Sequence, residues 1–404
     1  MARVTDPPEA EELAETARTF MEEVVLPEER AHAGGTGVSR GTIKKLRQEA
    51  REYGIYAPQI GEEWGGMGLD FRTVLPTFEE AGRSLLGATA MRVDAPDEGN
   101  MHTIELAGTE LQKEQYLRPL VEGEIRSGFS MTEPGPGAGS DPKMIRTTAE
   151  KDGDEWVIDG HKWWTTQGLE ADVLLVFART DQDVHPYEGC SMFLVPADAP
   201  GVNVVRNIPH LGGGGRTGHA EIKYENVRVP EEHLLGGEGD GFKLTQQRLG
   251  PARLTHCMRY SGMAMRSLGI AKAYISDREA FGSPLAEKQA LRHRIADAEM
   301  RLHAARTMVR NAAELIAAGD EARIEVAMSK VFTANVVGEA VDLAVQACGG
   351  NGIARDLPLA DFYESVRPFR IVDGADEVHR RSIARAAFED VPMEELEPVV
   401  RYGE

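Results

Sequence analysis

The chain of 404 residues is long enough for two or three domains, and a hydrophobic content of 41% suits ordinary cores. A net charge of −21 argues against nucleic acid or an anionic membrane as partner, and the longest apolar run, around 173–177, is far too short to span a bilayer. With no basic stretch and apolar run near the N-terminus we expect no secretory signal, and because Cys190, Cys257 and Cys348 are scattered with no C-x-x-C pair we expect no disulfide framework, no metal and a cytoplasmic location.

Residues 1–126 read as a helical domain. Leu13, Ala17, Phe20 and Val24 recur at helical spacing, and Pro27 is expected to end that helix. A second helix carries Ile43, Leu46 and Ala50 and stops before Gly54. Glu62-Glu-Trp-Gly-Gly-Met-Gly68 is a glycine-rich turn before a helix bearing Phe78, Glu79 and Glu80. Ala95-Pro-Asp-Glu-Gly-Asn-Met101 reads as a loop, and Thr109 is a plausible N-cap for a helix over 110–120. Residue type alone assigns this third of the chain no chemistry.

Residues 127–141 run Ser127-Gly-Phe-Ser-Met-Thr-Glu-Pro-Gly-Pro-Gly-Ala-Gly-Ser-Asp141. An apolar, strand-like start gives way to prolines that forbid a regular ladder and glycines that open backbone angles closed to other residues. A plain surface loop is one reading. The other is a main-chain cradle for a flat or phosphorylated ligand, with Thr132 and Ser140 as hydroxyl donors.

The period then changes to two, giving a small β-barrel or sandwich over 127–237. Lys151-Asp-Gly-Asp154 is a hairpin turn, and 173–178, 191–196, 202–205 and 220–224 are short strands. His161-Lys-Trp-Trp-Thr-Thr-Gln-Gly168 lies on a strand, where adjacent tryptophans point to opposite faces. At most one of Trp163 and Trp164 is then core, and the other is free to form a flat wall. The Gly212–Gly215 run lacks the strand–turn–helix context of a phosphate loop.

Over 238–404 the helical period returns. Leu254, Met258, Ser261, Met265 and Leu268, then Leu291 to Ile316, then Ile324 to Val345 keep three–four spacing. With a last helix from near Asp373 to Phe388, this is a four-helix bundle. The fold class is therefore α+β and multi-domain: helices, a small β module, then the bundle.

That order, with Met131-Thr-Glu-Pro and Gly-Ala-Gly-Ser-Asp141, Lys162-Trp-Trp-Thr-Thr166, Asn226-Val-Arg-Val-Pro230, Arg278-Glu-Ala-Phe-Gly282, Gln346-Ala-Cys-Gly-Gly-Asn-Gly352 and Asp373-Gly374, resembles the acyl-CoA dehydrogenase family. The resemblance spans roughly residues 10–390 and is nearest the branch with an Asp base and long- or branched-chain substrates. It implies an FAD enzyme that removes two hydrogens across Cα–Cβ of an acyl-CoA, yields the trans-2-enoyl-CoA and hands electrons to an electron-transferring flavoprotein. It implies that Phe129, Met131, Thr132, Trp164 and Thr166 surround the flavin ring. Arg278, Phe281, Gln289, Gln346, Gly349 and Gly350 then hold the rest of FAD, several across a subunit interface, so a homodimer or homotetramer is expected. Ala375 and Glu377 are also placed at the cofactor, Ser140 is shared between cofactor and substrate, and Arg253 and Gly374 are placed at the substrate.

The same resemblance makes Asp373 the base. A thioester α-proton is weakly acidic, and removing it needs a positioned carboxylate in a dry site, where burial raises the pKa. Capping of the last helix by Asp373 or Asp376 is the competing reading.

Some positions depart from the family pattern. The signature loop carries two extra residues, Ala280 and Ala375 stand where Thr is usual, Gly250 replaces a common acidic residue, and Asp373 is about 1.5 Å shorter than the usual Glu. A flavin oxidase on the same fold is a rival reading. An FAD-containing stress or DNA-binding relative is another, disfavoured by the acidic charge.

Overall fold

A computed structural model describes residues 4–32, 38–139, 141–211, 218–389 and 391. Ser140, the Gly212–Gly215 run and the acidic tail lie outside the described residues.

Helix α1 (Pro8–Phe20) buries Ala10, Ala14, Ala17 and Phe20 along one stripe. Pro27 does not end the helical path. Residues Met21–Val25 widen into a π-turn, and helix resumes over Leu26–Ala31 with Pro27 in its first turn. The wider turn accommodates a residue that lacks a donor and crowds the carbonyl four residues back. Ser39 caps α2 (Arg40–Glu52), and Asp70 caps α3 (Phe71–Ala81). The expected loop at 95–101 is mostly helix, because α4 begins at Asp97 and runs to Ala107. Its first turn is anchored by the Asp97 carboxylate, which meets Arg92 at 2.6 Å and accepts from the Ser127 backbone at 2.8 Å. Thr109 caps the next helix in a full capping box with Gln112.

Strands β1 (Ser127–Ser130), β2 (Thr148–Asp152), β3 (Glu155–Thr166), β4 (Val173–Arg179), β5 (Cys190–Pro196), β6 (Val202–Asn207), β7 (His219–Pro230) and β8 (Leu234–Leu235) form one sheet in the order β6-β7-β3-β2-β4-β5-β8. β1 and β2 share one edge of β4, β1 opposite Val173–Val176 and β2 touching only at Thr148 and Arg179. The sheet folds at that weak joint. Trp156, Ile158, Ile222 and Tyr224 from one half then pack on Leu174, Val176, Phe193 and Val195 from the other, the interior of a sandwich.

The C-terminal bundle is α5 (Gly241–Asp277), α6 (Gln289–Ala317), α7 (Arg323–Cys348), a short α8 (Leu359–Val366) and α9 (Asp376–Ala387). α7 is long and apolar enough to cross a membrane by length and composition, yet 56% of that window is buried against its neighbours. The last helix starts three residues after Asp373, so Asp373 does not cap it. Ala375 holds the N-cap position, without a side-chain bond. One apolar core runs through all three modules, including Phe78 and Met101, Leu175 and Leu194, and Leu254 and Val309. The main cavity lies at this junction.

Candidate active site

The cavity has a free volume of about 3380 Å³. That is well beyond the roughly 300–1,000 Å³ of a site for one drug-sized ligand. All three modules line it: Glu98 and His102 from α4, Phe129, Met131 and Thr132 from the signature stretch, Trp163, Trp164 and Thr166 from β3, Arg248, Arg253 and His256 from α5, and Asp373, Gly374 and His379 from the α9 turn.

The signature stretch is shaped around a buried ion pair. Glu133 accepts from the backbone N–H groups of Ala138, Arg146 and Thr147, from the Thr147 hydroxyl, and from Lys162 at 3.0 Å. Lys162 also donates to the Met131 carbonyl at 2.9 Å. Burial pushes the Lys162 ammonium down to about 8, against the pull of Glu133. A Cβ on Gly137 would come within 2.4 Å of Glu133 Oε2, so only glycine lets the loop close on the carboxylate. A Cβ on Gly135 or Gly139 would meet nothing within 4 Å, which leaves main chain open to a ligand.

Both tryptophans line the cavity, contrary to the opposite-face expectation. The β3–β7 register slips between Lys162 and Thr165, and Trp164 sits at φ 57°. The slip breaks the alternation of faces. Trp164 keeps 41% of its surface exposed, a flat apolar face that fits an isoalloxazine ring. Its ring stands edge-on to His210 and His219, and His219 Nδ1 lies 3.0 Å from the Thr166 hydroxyl. Phe129 lies under the guanidinium of Arg248, 4.1 Å from the ring centre.

Asp373 adopts φ 55° on the cavity wall, and its carbonyl accepts from Arg253 Nε at 2.9 Å and faces His379 Nε2 at 3.1 Å. Arg253, expected at the substrate, thus also fixes the peptide of Asp373. Burial pushes the Asp373 carboxyl up, but His256, Arg248, Arg253 and Lys330 together hold it below the ordinary carboxylate range. This reverses the sequence expectation that burial would win. Burial also pushes His256 down to about 4, so its ring is neutral near pH 7. His256 therefore adds its charge only in the acid range where the carboxyl itself titrates, and near pH 7 the two guanidiniums and the ammonium remain.

A second carboxyl was not assigned from sequence. Glu98 is pushed up by burial, only partly opposed by Arg259 and Arg248, so the two acids of one cavity are driven apart. Arg248, His256, Lys330 and His379 were also missed. The signal was available in part: Arg248 and His256 interrupt the apolar stripe of α5 at positions the fold buries or half-buries.

The remaining expected FAD contacts do not line this cavity. Arg278, Phe281, Gln289, Gln346, Gly349 and Gly350 gather at one end of the bundle, around the 279–284 hairpin and the C-terminus of α7. Phe281 is 97% exposed there, at φ 52°. Ala375 and Glu377 also lie off the cavity lining, and the exposed Glu377 is 3.7 Å from Arg380. Among the described residues no group of three or more His, Cys, Asp or Glu could hold a metal.

Family models match in chain order: acyl-CoA dehydrogenase N-terminal domain at 7–124, middle domain at 128–227 and C-terminal domain at 239–388. The chain is 43% identical over 349 residues to "Probable acyl-CoA dehydrogenase FadE2" of Mycobacterium tuberculosis, covering 85% of each. Mouse, rat, chicken, human and orangutan relatives described as acyl-CoA dehydrogenase family member 10 or 11 are much longer, and the chain spans 33% to 50% of their length. Among solved structures it is similar to a putative acyl-CoA dehydrogenase from Mycobacterium abscessus, with TM-score 0.89, 36% identity, and coverage of 96% of this chain and 99% of that one. It is also similar to a chain described under "Electron transferring flavoprotein of Acidaminococcus fermentans", with TM-score 0.86, 31% identity, and coverage of 96% and 100%.

Proposed function

The chain belongs to the acyl-CoA dehydrogenase family of FAD oxidoreductases, and on that footing we propose that it dehydrogenates an acyl-CoA thioester between Cα and Cβ with Asp373 as the base. The observation that carries this reading is the pair of carboxyls in one cavity, Asp373 held ionised and Glu98 driven towards its neutral form. The ionised one is the proton acceptor. FAD, when bound, supplies a two-electron hydride acceptor for the β-hydrogen. The α-proton goes to the Asp373 carboxylate, and the electrons of the broken C–H bonds form the new C=C and leave with the hydride. Trp163, Trp164, Thr166, Phe129, Met131 and Thr132 would hold the ring, and Glu133 with Lys162 keeps their loop in shape.

The product is the trans-2-enoyl-CoA, and the electrons pass on to an electron-transferring flavoprotein, a protein named in the description of one similar structure. Arg278, Phe281, Gln289, Gln346, Gly349 and Gly350, clustered away from the chain's own cavity, suit contacts to FAD in a second copy, so the working form is a homo-oligomer. Three buried thiols suit a reducing cytoplasm. Anaerobic mixing of FAD-loaded protein with acyl-CoAs of graded length and branching tests the activity. We expect at least one to bleach the visible flavin band. Failure of every thioester would end the reading.

A further inference from the structure

The Asp373 carboxyl has two unlike oxygens. Oδ2 is buried and has no directed hydrogen bond, whereas the side chain as a whole keeps 18% of its surface open. Asp373 lines the cavity, so Oδ1 is the oxygen presented to it. The nearest polar atom to Oδ2 given by the structure is His256 Nδ1, at 3.2 Å. The same nitrogen lies 2.7 Å from the carbonyl oxygen of Ala252. A carbonyl only accepts, so Nδ1 carries the proton and Nε2 is the bare nitrogen of the neutral ring. The ring is held in this position by Phe369, stacked at 5.9 Å and 20°, and by Tyr260 at 6.0 Å.

We infer that His256 is a positioning residue for the base: its Nδ1–H donates to Ala252 O, and the same edge of the ring, 3.2 Å from Asp373 Oδ2, holds the rotation of the carboxyl so that Oδ1 faces the substrate α-carbon. The inference rests on the dehydrogenase reading. His256 need not gain or lose a proton. The α-proton passes from carbon to Oδ1, while Nδ1 keeps its own hydrogen and Oδ2 stays against it. Without that ring edge, Oδ2 loses its nearest polar neighbour, which disfavours the charged carboxylate and frees it to rotate.

The other groups near the carboxyl are common to every variant used in the test. They are Arg248, Arg253, Cys257, Arg259 and Tyr260 from α5, Glu98 from α4, Lys330 from α7, and His379 and Asp376 from α9.

The test compares His256→Asn, His256→Gln and His256→Leu in the FAD-loaded full-length protein, reading flavin reduction by acyl-CoA across pH. The amide nitrogen of Asn can stand where Nδ1 stands, whereas that of Gln stands where Nε2 does. We expect Asn to keep the wild-type acid limb and most of the rate. Gln and Leu should lose about tenfold in reduction rate and move the acid limb up by about one pH unit, the scale of one polar neighbour lost beside a buried charge. FAD content and thermal midpoint should be similar for Asn and Gln, which keeps folding out of the comparison. The inference is overturned if Asn and Gln behave alike, or if Gln rescues and Asn does not. Wild-type bleaching, measured first, tests the dehydrogenase reading separately. If wild type is reduced by substrate and all three variants match it, that reading stands and the role of His256 fails.

Discussion

Lys330 Nζ lies 3.0 Å from Asp376 Oδ1 and donates to the Gly374 carbonyl at 2.9 Å, so one buried ammonium clamps both ends of the turn that follows Asp373. Asp376 also accepts from Asn335 at 2.9 Å. The sequence gives Asp376 only a part in the cap or the dipole of the last helix. The clamp changes that expectation. Removing one partner of a buried pair costs about 3–5 kcal/mol. Asp376→Asn should lower the urea midpoint accordingly and slow flavin reduction. A wild-type midpoint would show that the clamp carries little energy.

Gly374 sits at φ 92°, and a Cβ there would come within 2.8 Å of His379 Nε2. Gly374→Ala therefore meets both backbone strain, about 1–2 kcal/mol, and a collision with His379 beside Asp373. We expect a measurable loss of stability and a larger loss of flavin reduction, with FAD still bound. Gly139→Ala, where a Cβ meets nothing within 4 Å, is the control and should match wild type in thermal midpoint. Equal midpoints for the two variants would contradict the strain.

The architecture was legible because bundles and strands announce themselves by period, as with the Leu291–Ile316 stripe of α6. Pro27 and residues 97–101 were misread because a π-turn and a side-chain anchor, neither visible in a local pattern, override proline and loop chemistry. The tryptophans were misread because strand alternation fails where the register slips, and no single residue marks the slip. Asp373 was singled out by its place in a motif. The sign of its pKa shift was not, since it depends on Arg248, Arg253 and Lys330, which come together only in the fold. Glu98 and His256 needed the cavity itself.

Acid stability offers a further test. Burial holds His219, His256 and His379 near 4 in the fold, against 6.5 for a free side chain. Between those values the unfolded chain binds more protons than the native one, so stability must fall as pH drops from about 6.5 towards 4. Each of the three contributes a slope of at most about 1.4 kcal/mol per pH unit. Denaturant midpoints from pH 7 to 4.5 check this. His219→Gln should flatten the slope by about one proton, and an unchanged slope would show that His219 titrates normally.

Because both rings line the cavity, Trp163→Ala and Trp164→Ala should each weaken retention of FAD. Losing an aromatic contact worth about 0.5–1.5 kcal/mol corresponds to roughly a two- to tenfold faster release at each position. Dialysis against FAD-free buffer with flavin fluorescence reads it out. Wild-type retention in Trp163→Ala alone would restore the strict alternation of β3 and remove Trp163 from the site.

The most direct measurement sets the two cavity carboxyls against each other by rapid anaerobic mixing of FAD-loaded protein with a reactive acyl-CoA. Asp373→Asn removes an ionised acceptor, so the rate of flavin reduction should fall by about 10²–10⁴-fold while yellow colour and fold survive. Glu98→Gln replaces an acid already driven towards neutrality by its amide analogue, so the rate should stay within a few-fold of wild type. Wild-type reduction in Asp373→Asn, or a collapse of rate in Glu98→Gln alone, would contradict Asp373 as the base and move that role to Glu98.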